Sequence, residues 1–153
     1  MTLRSASVRF GLIAIAAALF VSARAFAADA SPAGVWKTID DKTGQPKSIV
    51  EITEQNGELT GKVKEVLQSE QGPNPICKDC EGERKNQPVV GMTIIWGMKK
   101  DGEEWSGGKI LDPKNGKTYG CKMHLEDGGK KLEVRGFVGF SLLGRSQTWE
   151  RQE

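Results

Sequence analysis

The segment KTYGCKMHLEDGGKKLEVRGFV, residues 117–138, decides the fold of this chain. Two runs of alternating apolar and polar residues flank the turn signal Asp127-Gly128-Gly129. Successive side chains of a β-strand point to opposite faces, so each run predicts a strand with one buried face. The buried face holds Tyr119, Cys121, Met123, Leu125, Leu132, Val134, Gly136 and Val138, and the solvent face holds Lys122, His124, Glu133 and Arg135.

The same pattern of short apolar runs and turn signals continues in both directions, with one turn of helix expected near residues 89–92. A series of hairpins with one polar face forms either a sandwich or a closed barrel, and closure removes exposed sheet edges. We therefore expect an all-β fold, an antiparallel up-and-down barrel of about eight strands that can hold one small ligand. The strands are predicted at Gly34–Asp40, Lys47–Thr53, Glu58–Leu67, Thr93–Lys99, Trp105–Leu111, Lys117–Glu126, Lys131–Val138 and Arg145–Arg151.

The N-terminus has the three parts of a secretory signal peptide. Arg4 and Arg9 precede the apolar run Phe10–Val21, and the small-residue site Ala25-Phe26-Ala27 follows. The run is shorter than the roughly 20 apolar residues that a membrane-spanning helix needs. We expect cleavage after Ala27, one domain over residues 28–153, and a location in the periplasm or beyond.

The expected cleavage changes the charge balance. The whole chain has 22 Lys and Arg against 20 Asp and Glu. Removal of Arg4, Arg9 and Arg24 leaves 19 basic residues, so the mature net charge is about −1. A nearly neutral domain gives no electrostatic reason to expect nucleic-acid binding.

One polar segment, residues 68–87, interrupts the series of strands. Loops longer than about 12–15 residues are uncommon and often act as lids or binding loops. Two interpretations remain open: a lid over the barrel mouth, or a long surface loop held by its own disulfide.

Three cysteines occur in the chain, so one must remain without an internal partner. An oxidising compartment favours a disulfide, and we expect Cys77–Cys80, because alternation places Cys121 inside the barrel. Thioredoxin-like catalysis is disfavoured, since Pro and Gly surround the pair and no βαβ pattern lies nearby. Zinc binding by the pair is also disfavoured, because Cys121 and His124 lie on opposite faces.

No arrangement of residues predicts catalysis. His124, the single histidine, is expected on the solvent face, and no Ser/His/Asp spacing is present. Cys121 has no inward histidine as a base, which favours core packing over a nucleophilic role. We expect no enzyme activity, no cofactor and no metal, with a thiol-based enzyme as the least favoured alternative.

Aromatic and apolar residues are the best candidates for a binding site. Ligand pockets are mostly apolar with a few placed polar groups. Most such residues must form the core of a domain this small. The candidates for contact with a ligand are Trp96, Tyr119, Cys121 and Met123.

Gly34-Val35-Trp36 on the first predicted strand resembles the G-x-W signature of lipocalins. In that family the Trp seals the closed end of the barrel and an Arg from near the last strand packs over its ring. The resemblance implies that Arg145 or Arg151 packs on Trp36 through a cation–π contact. The chain lacks the long C-terminal helix of typical lipocalins.

A second resemblance extends over nearly all of residues 31–150. The chain is similar to an exported bacterial family catalogued as domain of unknown function 2147. The resemblance implies a lipocalin-like barrel in the periplasm, and it carries no catalytic residues to transfer. The matching segments are Gly34–Trp36, Cys77–Cys80, Gly91–Met98, Trp105–Ile110, Asp112-Pro113, Gly116–Tyr119, Leu142–Arg145 and Gln147–Trp149.

These observations together predict a periplasmic, lipocalin-like protein that binds a small, largely apolar molecule. The alternative is a structural or interaction module of the cell envelope with a filled barrel. No nucleic-acid partner and no membrane span are expected.

Overall fold

The computed structural model describes residues 30–153, so the predicted signal peptide at 1–27 lies outside the described residues. The chain forms a closed antiparallel barrel with its strands in sequence order. This confirms the predicted fold class. The strands are β1 Gly34–Ile39, β2 Pro46–Gln55, β3 Glu58–Val66, β4 Thr93–Asp101, β5 Glu104–Asp112, β6 Lys117–Glu126, β7 Lys131–Phe137 and β8 Gly144–Arg151.

Closure of the barrel depends on β1, which pairs with both β2 and β8. The β1–β8 contact is short, with Trp36 opposite Arg151 and Lys37 opposite Glu150. Because all eight strands then have two neighbours, the barrel has no exposed sheet edge.

In the described part of the chain, helix is confined to two short 3-10 segments, Gly82–Arg84 and Asp127–Gly129. The helical turn expected near residues 89–92 is instead a hydrogen-bonded turn, in which Met92 N–H donates to the Val89 carbonyl (3.1 Å). Across residues 30–153, no helix is long and apolar enough to cross a bilayer.

Strand boundaries and facing differ from strict alternation where the backbone turns sharply. Strand β2 extends to Gln55, because Asn56 and Gly57 form a two-residue turn with positive φ values of 52° and 76°. In β4, Gly97 has a φ of 71° and marks a bulge. Both Ile95 and Met98 are consequently fully buried inside the barrel.

The apolar core fills the middle of the barrel and one of its ends. Full burial of a large apolar side chain contributes roughly 1.5–3 kcal/mol, so this layer supplies most of the driving force for folding. The largest fully buried side chains are Trp36, Val50, Ile52, Leu59, Ile95, Met98, Met123, Leu132 and Trp149.

An up-and-down topology places alternate connections at opposite ends of the barrel. The closed end carries the residues before β1 and the short turns at 56–57, 102–103 and 127–130. The other end, called the mouth here, carries the connections at 40–45, 67–92, 113–116 and 138–143.

Candidate functional site

The closed end is sealed by Trp36 and Arg151. The Arg151 guanidinium lies 4.2 Å from the centre of the Trp36 ring, and Trp36 is fully buried. The Trp36 indole N–H donates to the Pro32 carbonyl at 2.7 Å. Arg151 also donates three hydrogen bonds of 2.7–2.9 Å, to the carbonyl oxygens of Ser31, Ala33 and Gly129.

Gly34 makes this arrangement possible. Its φ is 141°, a region that favours glycine, and a Cβ there would overlap the Arg151 guanidinium. The structure thus decides between the two arginines that the resemblance offered: Arg151 packs on Trp36, whereas Arg145 lies at the mouth.

Cys121 belongs to the filled middle layer. It is fully buried between Gly108 of β5 and Gly136 of β7, and it is the free cysteine of the described chain. Burial raises the pKa of its thiol to about 12. A neutral thiol is a poor nucleophile, so this environment disfavours covalent chemistry at Cys121.

The mouth half of the barrel holds a cavity of about 1150 Å³. Pockets for small molecules have volumes of about 300–1,000 Å³, so the space is sufficient for one such molecule. Its floor is the top of the filled core, and its lining combines apolar side chains with a similar number of polar and charged ones. The apolar lining residues are Val63, Val66, Leu67, Val89, Ile110, Leu111, Val134, Phe137, Val138 and Leu143.

Polar and charged side chains also line the cavity, and several of them are hydrogen-bonded to other groups of the protein. Thr38 Oγ1 and Ser48 Oγ are hydrogen-bonded at 2.8 Å. The Tyr119 hydroxyl accepts a hydrogen bond from Asn115 Nδ2 at 3.1 Å. A ligand therefore meets apolar side chains of the strands together with hydrogen-bonded polar groups and the charged groups of the connections.

Charged groups are gathered at the rim of the mouth. Arg145 forms an ion pair with Asp41, and Gln147 Nε2 lies 3.5 Å from the same carboxylate. Lys114 Nζ donates to Glu70 Oε1 at 2.9 Å, which lowers the pKa of Glu70 and raises the pKa of Lys114. Opposite charges are paired here, so the rim has no strong excess of either sign.

The long β3–β4 connection forms one wall of the mouth. Residues 68–73, Pro75 and Val89 line the cavity, while the segment between them contacts the β5–β6 connection at Pro113 and Gly116. The Cys77–Cys80 disulfide, confirmed as predicted, holds that segment together. Cys77 Sγ lies 3.3 Å from the Pro113 carbonyl oxygen. The segment thus combines both interpretations of the sequence, a binding wall and a disulfide-held loop.

The four ligand-contact candidates occupy three different places. Tyr119 lines the cavity. Cys121 and Met123 lie deeper, in the filled core. Trp96 does not line the cavity: it is half-buried against the apolar core cluster, with the Arg84 guanidinium 4.6 Å from the centre of its ring. The cause is the bulge at Gly97, which turns Trp96 away from the interior.

Sequence reasoning missed several residues of the cavity wall. Ile110 pairs with Tyr119 across β5 and β6, and Gly136 lies across β6–β7 beside the same ring. The alternation of apolar and polar residues in β7 had placed Gly136 on the inner face, and this was the sequence signal that could have identified it as part of the cavity wall. Depth along the barrel axis depends on strand register, which is a property of pairs of strands.

Comparison with solved structures identifies a similar fold. The chain resembles a structure described as "Protein HP1028 from the human pathogen Helicobacter pylori belongs to the lipocalin family". The TM-score is 0.69 at 21% sequence identity, covering 80% of this chain and 84% of the other. At this identity the likeness establishes a lipocalin-like fold and nothing further. No curated protein matches the sequence.

Comparison with family profiles gives a match over residues 34–151, from the first residue of β1 to the last residue of β8. The matched family is described as "Uncharacterized protein conserved in bacteria (DUF2147)". The match spans the whole barrel, including Trp36 and Arg151 at the closed end and the cavity wall at the mouth. The chain therefore belongs to the DUF2147 family.

Proposed function

We propose that this protein is an exported carrier that binds one small, largely apolar molecule in the mouth of its barrel. The observation that carries the proposal is the cavity of about 1150 Å³ above a filled core, with apolar strand residues such as Val63, Ile110 and Val134 in its wall. Transfer of apolar surface from water into such a cavity contributes about 25 cal/mol per Å², which is sufficient to drive binding.

The two ends of the barrel give the binding a direction. Trp36 and Arg151 occupy the closed end, so a ligand enters and leaves through the mouth. Export is supported by the signal-like segment ending at Ala27, and a disulfide is the form that cysteines take in an oxidising compartment.

A cavity-filling variant at Gly136 tests the proposal. A Cβ on Gly136 would lie 3.5 Å from Ile110 Cγ2 and 3.6 Å from Tyr119 Cβ, which are ordinary contact distances. The Cβ of a leucine at this position therefore fits without a clash, and the rest of its side chain extends into the cavity. Fluorescence titration with dansyl-labelled undecanoic acid and with retinol should show saturable binding to the native protein, and a large loss of affinity in Gly136→Leu.

The matched control adds the same side chain on the outside of the barrel. Lys62 is exposed on β3 and does not line the cavity. Lys62→Leu should bind both probes as the native protein does. If neither probe binds, or if Gly136→Leu binds normally, the proposal is wrong.

One observation favours interaction with another protein as a second candidate function. The β7–β8 connection exposes Val138, Phe140, Leu142 and Leu143, with Leu142 83% exposed. Large exposed apolar side chains in one loop are typical of contact surfaces. A photo-cross-linker at Leu142 in intact cells should give one defined product that the Phe140→Ser variant loses. This function would not require the cavity, so Gly136→Leu would leave it intact.

A further inference from the structure

The only histidine of the chain lies among glutamates on the outer surface of the barrel. His124 is on the outward face of β6, directly opposite Glu104 on β5 and Glu133 on β7. Glu126 follows two residues later on the same face of β6. The fold thus gathers side chains from three strands around one imidazole, on the opposite side of the wall from the core.

Three of these side chains converge to a distance suited to one metal ion. One ligand atom from each of His124, Glu126 and Glu133 lies within 4.8 Å of the other two. His124 Nε2 and Glu126 Oε1 are 3.3 Å apart. With zinc–ligand bonds of about 2.0–2.1 Å, tetrahedral geometry separates neighbouring ligand atoms by about 3.3 Å.

The charges around the cluster favour a bound cation. Among residues 30–153, no Lys or Arg forms an ion pair with Glu126 or Glu133. The nearby Lys122 pairs instead with Glu104 at 3.4 Å, and Lys131 approaches Asp127. Two adjacent carboxylates that form no ion pair with Lys or Arg repel each other, and a divalent ion would remove that repulsion.

A chain of hydrogen bonds through Ser146 and Arg135 holds the Glu133 carboxylate in position. Ser146 Oγ donates to Glu133 Oε1 at 3.0 Å. Arg135 Nη1 donates to the same Ser146 oxygen at 3.1 Å, and its Nε donates to the Ser141 carbonyl at 2.7 Å. Groups that orient a ligand in this way raise metal affinity and are a regular part of protein metal sites.

We propose that His124, Glu126 and Glu133 bind a divalent transition-metal ion, of which Zn²⁺ fits the ligand set best. The imidazole nitrogen distinguishes this set from the all-oxygen sites that Ca²⁺ and Mg²⁺ require. All three ligands are half-buried and reach solvent, so water completes the coordination. The site lies outside the barrel and does not depend on the proposed ligand cavity.

Calorimetric titration of the mature, disulfide-bonded and untagged protein with ZnCl₂ tests the proposal. One Zn²⁺ should bind per chain, with Mg²⁺ failing to compete. His124→Gln and Glu133→Gln should weaken binding by about 100-fold or more, and Ser146→Ala by about 10-fold, because Ser146 only positions Glu133. Glu65→Gln, at an exposed glutamate on β3, is the matched control and should bind as the native protein does.

A second measurement reads the site directly. Because the chain has one histidine, a long-range proton–nitrogen spectrum contains a single imidazole, and its Nε2 signal should shift on addition of Zn²⁺. Thermal unfolding of each variant without metal checks that it folds. Zn²⁺ should raise the melting temperature of the native protein and leave that of His124→Gln unchanged. Equal zinc binding by native protein and His124→Gln, or an unmoved imidazole signal, would overturn the proposal.

Discussion

The guanidinium of Arg151 lies 4.2 Å from the centre of the Trp36 ring at the closed end of the barrel. The same side chain donates hydrogen bonds to the segment before β1 and to the turn between β6 and β7. Only two residue pairs join β1 to β8, so this contact compensates for a short backbone seam. One residue near the C-terminus thus joins three separate parts of the chain.

Replacement of Arg151 should destabilise the barrel strongly. Arg151→Leu removes the cation–π contact and three charge-assisted hydrogen bonds, at a cost of about 2–4 kcal/mol. Arg145→Leu is the control, because the exposed pair with Asp41 contributes at most about 1 kcal/mol. Urea unfolding of both variants measures the difference. Equal losses in the two variants would contradict the assigned role of Arg151.

The Cys77–Cys80 disulfide should stabilise the wall of the mouth more than the barrel itself. Closing so short a loop contributes about 2 kcal/mol on the chain-entropy model, so Cys77→Ala/Cys80→Ala should lower the free energy of unfolding by about that amount. The cavity probes should also bind less tightly, because the disulfide segment leads directly from the wall at residues 68–73. Titration of the native protein under reducing conditions should match the double variant. Unchanged stability and affinity would show that packing alone holds the loop.

Gly116 should be essential for docking of the disulfide segment on the barrel. Its φ is 69°, and a Cβ would overlap the Asp79 carbonyl and the Cys80 nitrogen. Gly116→Ala should cost more than about 1 kcal/mol, since neither the backbone nor its neighbour can relax easily. Gly102→Ala is the matched control, with a similar φ of 65° but open space around it. If the two variants lose the same free energy of unfolding, backbone strain and not the contact with Asp79 explains the loss in Gly116→Ala.

The buried thiol of Cys121 should make stability fall at alkaline pH. Burial raises the pKa of Cys121 from 9.0 to about 12, so the unfolded chain loses this proton before the folded chain does. The contribution is fully present below pH 9.0 and is lost as the pH rises towards 12, by up to about 1.4 kcal/mol per pH unit. Urea unfolding of the native protein and of Cys121→Ala should be measured across this pH range. The free energy of unfolding should fall more steeply with pH in the native protein than in the variant. Parallel curves would contradict the burial of Cys121.

Most of the fold follows from local patterns in the sequence. Alternation from Tyr119 to Leu125 assigned the inner and outer faces of β6, and the Asn56-Gly57 signal marked a tight hairpin. Alternation placed Cys121 inside the barrel, which left Cys77–Cys80 as the expected disulfide, and the resemblance of Gly34-Val35-Trp36 to the lipocalin signature implied the closed end. These features depend on residues within one strand or turn, so a single sequence contains them.

The candidate site was less predictable, because it depends on register. The sequence placed Tyr119 and Met123 on the same inner face, but only the pairing with Ile110 and Trp105 on β5 shows which one reaches the mouth. Trp96 was misplaced because a single positive φ at Gly97 inserts a bulge and reverses the facing.

The sequence by itself determined an antiparallel barrel of about eight strands, the inner and outer faces of β6, one disulfide and an N-terminal segment typical of export signals. The tertiary structure decided which arginine covers Trp36, how far the core fills the barrel, and which glutamates surround His124. The physical reason is that side-chain periodicity is a local property of a strand, whereas depth, closure and cross-strand neighbours are fixed only when distant strands pair.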